Sequence, residues 1–109
     1  MTGLKGVVSH HDREVAELRA DRELAVEYLK AAMADLDNPE DRGGCLLALR
    51  TVAEAHGGLA LVAAEAGIRR EALYRALSPK GNPTLKTLMA VLKTVGMRLS
   101  VEPEHDAAA

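Results

Sequence analysis

Residues 62–88 read VAAEAGIRREALYRALSPKGNPTLKTL, and this stretch decides the fold. It opens as amphipathic helix, is cut by Gly67, and resumes at once with Ile68 and two arginines. Gly67 supplies the left-handed backbone geometry that a residue with a side chain resists. Ala63, four residues earlier, is small enough to let the next helix approach closely. Ile68, Leu73 and Leu77 give that helix a buried side, and its other side carries Arg69, Arg70, Glu71, Tyr74 and Arg75. Two short helices joined by a tight glycine turn make a helix-turn-helix unit, whose second helix can lie in the major groove of DNA. A second break follows at Ser78-Pro79-Lys80-Gly81-Asn82-Pro83, where Pro79 ends the helix by disfavouring helical geometry at Ser78. Lys80, the Gly81 amide, Asn82 and Thr84 can meet phosphates there, beside the free amides of the helix starting at Leu85. The same loop also reads as a stiff turn holding two helices apart, and both readings can hold together.

Working outward, the segment before Gly67 reads as a short helix from about Leu59, preceded by a terminator at Gly57-Gly58. The helix before that starts after Asn38-Pro39-Glu40-Asp41, a capping side chain, a first-turn proline and acids facing the helix dipole. Leu46, Leu49, Val52 and Ala53 form its buried stripe. Residues 12–37 read as two helices, with Val15 and Leu18 as an apolar edge and Asp21 as the cap of the second. Ala25, Tyr28, Leu29, Ala32 and Leu36 then recur at helical spacing. On the C-terminal side, a helix capped near Thr84 lines up Leu85, Leu88, Met89, Leu92 and Val95 before Gly96.

Met97, Leu99 and Val101 then alternate with Arg98, Ser100 and Glu102, the period of a strand. One strand makes no sheet. It pairs with another chain, most simply a second copy, or lies as an isolated extended segment against the helices. The expected organisation is all-α: a disordered N-terminus over 1–11, a helical extension over 12–37, a helix-turn-helix core over 38–96, a dimerisation strand over 97–103 and a disordered tail over 104–109.

Composition narrows the function. The 109 residues are 48% hydrophobic, Phe and Trp are absent, and two tyrosines are the only aromatics. The core is therefore aliphatic, and nucleic-acid binding on aromatic stacking platforms is disfavoured. The net charge of −2 conceals a polarity. Residues 12–41 hold ten acids against four bases, whereas residues 69–98 hold seven bases against Glu71 alone. A basic second half suits an anionic partner. Cys45 lies in an apolar run and reads as a small buried hydrophobe. His10 and His11 are adjacent in the expected disordered segment, while His56 and His105 stand alone, so no metal site is expected. No phosphate-binding glycine loop and no nucleophilic triad is present, so neither an enzyme nor a cofactor is expected. The N-terminus lacks a signal-peptide apolar region, which suggests a cytoplasmic protein.

The runs EYLKAAMADLD, LLALRTVAEAHGG and EAGIRREALYRALSPKGNPTLKTLMAVLKTVGMRLSVEP resemble the addiction-module antidote family, the HigA-like antitoxins with a lambda-repressor-type domain. The similarity spans roughly residues 21–103. It implies a homodimer that binds its own operator, represses its operon and neutralises a RelE/ParE-like toxin. On the family pattern, Arg70, Glu71, Tyr74 and Arg75 match recognition-helix positions, and Lys80 to Asn82 match the loop after it. Arg69, Thr84 and Lys86 complete the expected DNA-binding set, and Met97, Leu99 and Val101 the dimerisation set. Arg69 departs from the pattern by standing where the family commonly has a Ser or Asn cap. That removes a capping oxygen typically worth about 1 kcal/mol and leaves the start and register of the helix open. A basic toxin would be complemented by an acidic surface, which makes Asp21, Glu23, Glu27, Asp35 and Asp37 candidate contacts, with Tyr28 an apolar anchor if it is not core. Charge balance alone explains the acidic half equally simply. The alternatives are a stand-alone helix-turn-helix regulator and an interaction module that never touches DNA.

Overall fold

The computed structural model describes residues 9–104, and within them the chain is all-helical. Six helices follow one another: α1 (His10–Ala20), α2 (Arg22–Met33), α3 (Arg42–Ala55), α4 (Gly58–Ala66), α5 (Arg70–Ala76) and α6 (Leu85–Lys93). No described helix alone is long and apolar enough to cross a membrane.

Helix starts and stops follow local chemistry. The Ser9 side chain accepts the Asp12 amide, so α1 begins at His10, inside the stretch expected to be disordered. A capped first turn with Asp12 facing the helix dipole is enough to order it. The rest of the expected disordered N-terminus, residues 1–8, lies outside the described residues, as does 105–109 of the tail. Asp21 joins α1 to α2 without a loop. Its N–H closes α1 on the Glu17 carbonyl, and its side chain caps α2 by accepting from Leu24 N–H at 3.1 Å. The cap expected of Asn38 is displaced. Its Oδ1 accepts from the Glu40 amide at 3.1 Å and its Nδ2 donates to Asp41 at 2.8 Å, so Asn38 fastens the turn, and α3 starts after Asp41 with no side-chain cap. Local turns of this kind compete with a cap for the same side-chain oxygen.

Gly57, with φ 94°, turns the chain through 109° between α3 and α4. Gly58 is already the first residue of α4 rather than part of a terminator. After α6, Gly96 at φ 73° reverses the chain, and the Met97 amide donates to the Leu92 carbonyl at 2.9 Å.

Both N-terminal helices pack on α3, and α4 packs chiefly on α6. Val15, Leu18, Ala25 and Leu29 share one continuous core with Leu46, Leu49, Val52, Val62, Leu73, Leu77, Val91 and Val95. Each fully buried leucine contributes on the order of 1.5–3 kcal/mol. Cys45 is buried beside Met33, with the two sulfurs 4.0 Å apart.

The last helix and the segment after it differ from the expected pattern in part. The α6 stripe is rotated: Thr87, Ala90, Val91 and Leu92 face inward, while Leu85 is 63% and Met89 52% exposed. The helix is apolar on two sides, and only one can meet α4. No strand forms over 97–103 among the described residues. The alternation persists, with Met97 and Leu99 packed on the core and Arg98 and Ser100 exposed, but a helical core offers no edge for a ladder. Val101 is 98% exposed.

Candidate nucleic-acid interface

The turn between α4 and α5 is built around Gly67 at φ 71° and ψ 31°. Its N–H donates to the Ala63 and Ala64 carbonyls, and the Ile68 N–H donates to Ala63 at 3.0 Å. Those bonds satisfy carbonyls that the end of α4 would otherwise leave open. A Cβ at Gly67 would come within 3.3 Å of the Lys86 ammonium, which places that charge beside the turn. Arg69 takes extended geometry and makes no side-chain cap, so α5 begins at Arg70. Glu71 sits in the first turn, where an acid offsets the positive helix end.

Leu73 and Leu77 are fully buried and fix the rotation of α5. Arg69, Arg70, Glu71, Tyr74 and Arg75 are thereby turned outward. The loop after α5 folds back on it. The Gly81 amide donates to Ser78 at 2.8 Å, and a Cβ at Gly81 would overlap the Ala76 and Arg75 carbonyls. Its other side rests on α3, where a Cβ at Gly43 would lie 3.3 Å from that of Pro79. Lys80 and Asn82 are exposed on this pinned loop, and the Thr84 side chain caps α6 by accepting from Thr87 N–H at 3.1 Å. A caps-and-glycines scaffold thus holds an exposed cationic edge.

Ion pairs are few in both halves among the described residues. Among the described residues, Arg69, Arg70, Arg75, Lys80 and Lys86 form no ion pair within 4.0 Å, whereas Lys93 reaches Glu65 at 4.0 Å and Lys30 reaches Glu27 at 3.9 Å. Five cations left without carboxylates keep their full field for an external anion. They do not all share one surface. Arg70 and Tyr74 line a cleft of about 500 Å³ with Asp12, Val15, Arg19, Glu54 and Leu59, so α1 flanks α5. Lys86 instead borders a groove of about 840 Å³ with Leu85, Met89, Met97, Leu99 and Val101. That groove brings the expected dimerisation residues together with the exposed side of α6.

Two features escaped the sequence reading. The guanidinium of Arg50, on α3, lies 5.3 Å over the ring of Tyr74, within range of a cation–π contact. The one available signal was an arginine inside an otherwise apolar run. The second feature is the place of α1 beside the candidate site. The His11 Nε2 of α1 lies 2.8 Å from a Glu54 carboxylate oxygen, and the Arg19 Nε donates to the Ala55 carbonyl at 3.3 Å.

The candidate acidic contacts Asp21, Glu23, Glu27, Asp35 and Asp37 are all exposed on α2 and the turns at its two ends. Tyr28 is half-buried and packs against the edge of the core. Burial, then the charge of Glu14, push its hydroxyl above the usual phenol range, partly offset by a hydrogen bond with Thr51. Burial, then Asp35, likewise raise the Cys45 thiol, against a smaller opposing effect of Arg42. Among the described residues no three His, Cys, Asp or Glu side chains gather as a metal site.

A family profile described as "Probable addiction module antidote protein" matches residues 9–103, nearly the whole chain. The chain belongs to that family. A Haemophilus influenzae (strain ATCC 51907 / DSM 11121 / KW20 / Rd) protein described only as uncharacterized is 38% identical over 96 residues, covering 88% of this chain and 94% of its own. No solved structure matches. Membership in an antidote family implies a toxin partner of some kind. It agrees with the antidote resemblance read from the sequence.

Proposed function

We propose that this antidote-family protein is a helix-turn-helix, DNA-binding antitoxin that represses its own operon as a homodimer and neutralises a RelE/ParE-like toxin. The observation that carries the DNA reading is the exposed set Arg69, Arg70, Arg75 and Lys80, none of them in an ion pair, at the start of α5, along it and on the loop pinned behind it. Arg70 and Tyr74 read base edges, and Lys80, Asn82, Thr84 and Lys86 hold phosphates. The groove between α6 and residues 97–101 supports dimerisation through Met97, Leu99 and Val101. The exposed acids of α2 and its flanking turns supply the toxin-facing surface.

Binding to the duplex upstream of the gene, titrated with salt, tests the reading. If at most five cations in each of two protomers reach phosphates, the complex releases at most about ten counterions, so the log–log slope lies between about −4 and −9. A flat response, or no binding at low salt, overturns it. For the toxin surface, charge-reversal variants of Glu23, Glu27 and Asp35 are the proper probe. Deleting residues before Asn38 would strip Leu18 and Leu29 from the core and unfold the remainder.

A further inference from the structure

Arg50 belongs to neither short helix of the candidate interface, yet its side chain reaches it. Of the other arginines in the N-terminal half, Arg13 is exposed on α1, and three are committed to carbonyls: Arg19 to Ala55 and Glu54, Arg22 to Val95 at 2.6 Å, Arg42 to Leu36 at 2.9 Å. Arg50 is half-buried and makes no hydrogen bond or ion pair among the described residues; its partner is the face of Tyr74. Its natural partner would be Glu54, four residues along the same helix. That carboxylate instead faces His11 of α1 at 2.8 Å. A partly desolvated guanidinium with unused N–H donors favours an anionic acceptor. Tyr74, 42% exposed, stands between this guanidinium and the cleft that holds Arg70.

We propose that Arg50 is a DNA contact outside the two short helices: its guanidinium stacks on Tyr74 to hold the ring in one orientation and donates to a backbone phosphate beside the bases read by α5. His11 keeps Glu54 from quenching that charge. This rests on the DNA reading above. A planar fork suits both tasks, which a lysine could perform only in part.

The test uses the full chain, the upstream duplex and a random duplex of equal length, each titrated with salt. R50Q weakens binding to both duplexes and makes the slope shallower by about 0.9 per protomer, one phosphate contact each. R50K keeps the slope but loses discrimination between the duplexes, because an ammonium does not stack as the guanidinium does. Y74L loses discrimination too, and adding it to R50K costs less than the product of the separate fold-losses. Thermal unfolding of R50K and Y74L stays close to wild type, which separates positioning from folding. If R50Q does not fold, R50K and Y74L carry the test through discrimination alone. An unchanged slope in R50Q, or R50K and Y74L effects that multiply independently, overturns the proposal. A wild-type protein that binds neither duplex overturns the DNA reading itself, and the role of Arg50 falls with it.

Discussion

Arg22→Ala probes whether the N-terminal helices are part of the domain that holds α5. The Arg22 Nη2 donates to the Val95 carbonyl at 2.6 Å, where α6 has ended and the chain is about to reverse at Gly96. A hydrogen bond to a charged group contributes about 1.5–3 kcal/mol, and the exposed position of Arg22 favours the lower end. A loss of about 1.5 kcal/mol moves the melting midpoint of a domain this size by roughly 6–9 °C. Urea unfolding would show the midpoint falling with the m-value unchanged. Gly96→Ala supplies an internal control. Its Cβ would collide with the Arg22 guanidinium and would also strain a backbone at φ 73°. Only the collision disappears when Arg22 is already alanine, so the double variant loses less than the sum of the singles. A single-variant loss below about 0.5 kcal/mol, the range of ordinary surface changes, refutes the reasoning. So does additivity within about 0.3–0.5 kcal/mol.

Other substitutions separate glycines that are needed from one that is not. Gly81→Ala destabilises, because its Cβ overlaps the α5 carbonyls, whereas Gly44→Ala, with nothing within 4 Å in the first turn of α3, gains about 0.5–1 kcal/mol in denaturant unfolding. Leu49→Ala, fully buried, costs about 2–5 kcal/mol by the same assay. Cys45 resists alkylation in the native protein and reacts with iodoacetamide only above the ordinary thiol range. Because its folded value is raised, the stability it lends is complete below the unfolded thiol pKa and disappears as pH rises through the folded one. Rapid labelling at neutral pH would contradict its burial.

The second half of the chain was legible where structure is local. Gly67, Pro79, Thr84 and Gly96 punctuate helices through their own backbone or side chain, and each stands where its chemistry requires. The inward turn of Leu73 and Leu77 followed from spacing alone. What spacing could not decide was which of two apolar sides α6 buries, because that depends on the surface of α4. Asn38 misled for a related reason: its oxygen could cap a helix or close a turn, and the pattern of residues is the same for both. The register left open by Arg69 concerned a missing cap, and α5 begins at Arg70 without one. The contacts of Arg19, Arg22 and Arg50 span 24 to 73 positions along the chain, beyond any motif. The strand-like alternation of 97–102 is a property of the chain, whereas a strand is a property of two.

The chain contains two tyrosines and no tryptophan or phenylalanine, and the two rings lie in different worlds. Tyr28 is lodged against the core beside Thr51, and Tyr74 rests under a guanidinium on the outer side of α5. All ultraviolet emission and near-ultraviolet dichroism of the protein therefore come from one half-buried chromophore against the core and one exposed chromophore on α5. Replacing Tyr74 leaves an optical record of folding alone, and replacing Tyr28 leaves one that listens to whatever lands on α5. Without any attached label, the molecule carries separate windows on its integrity and on its encounters.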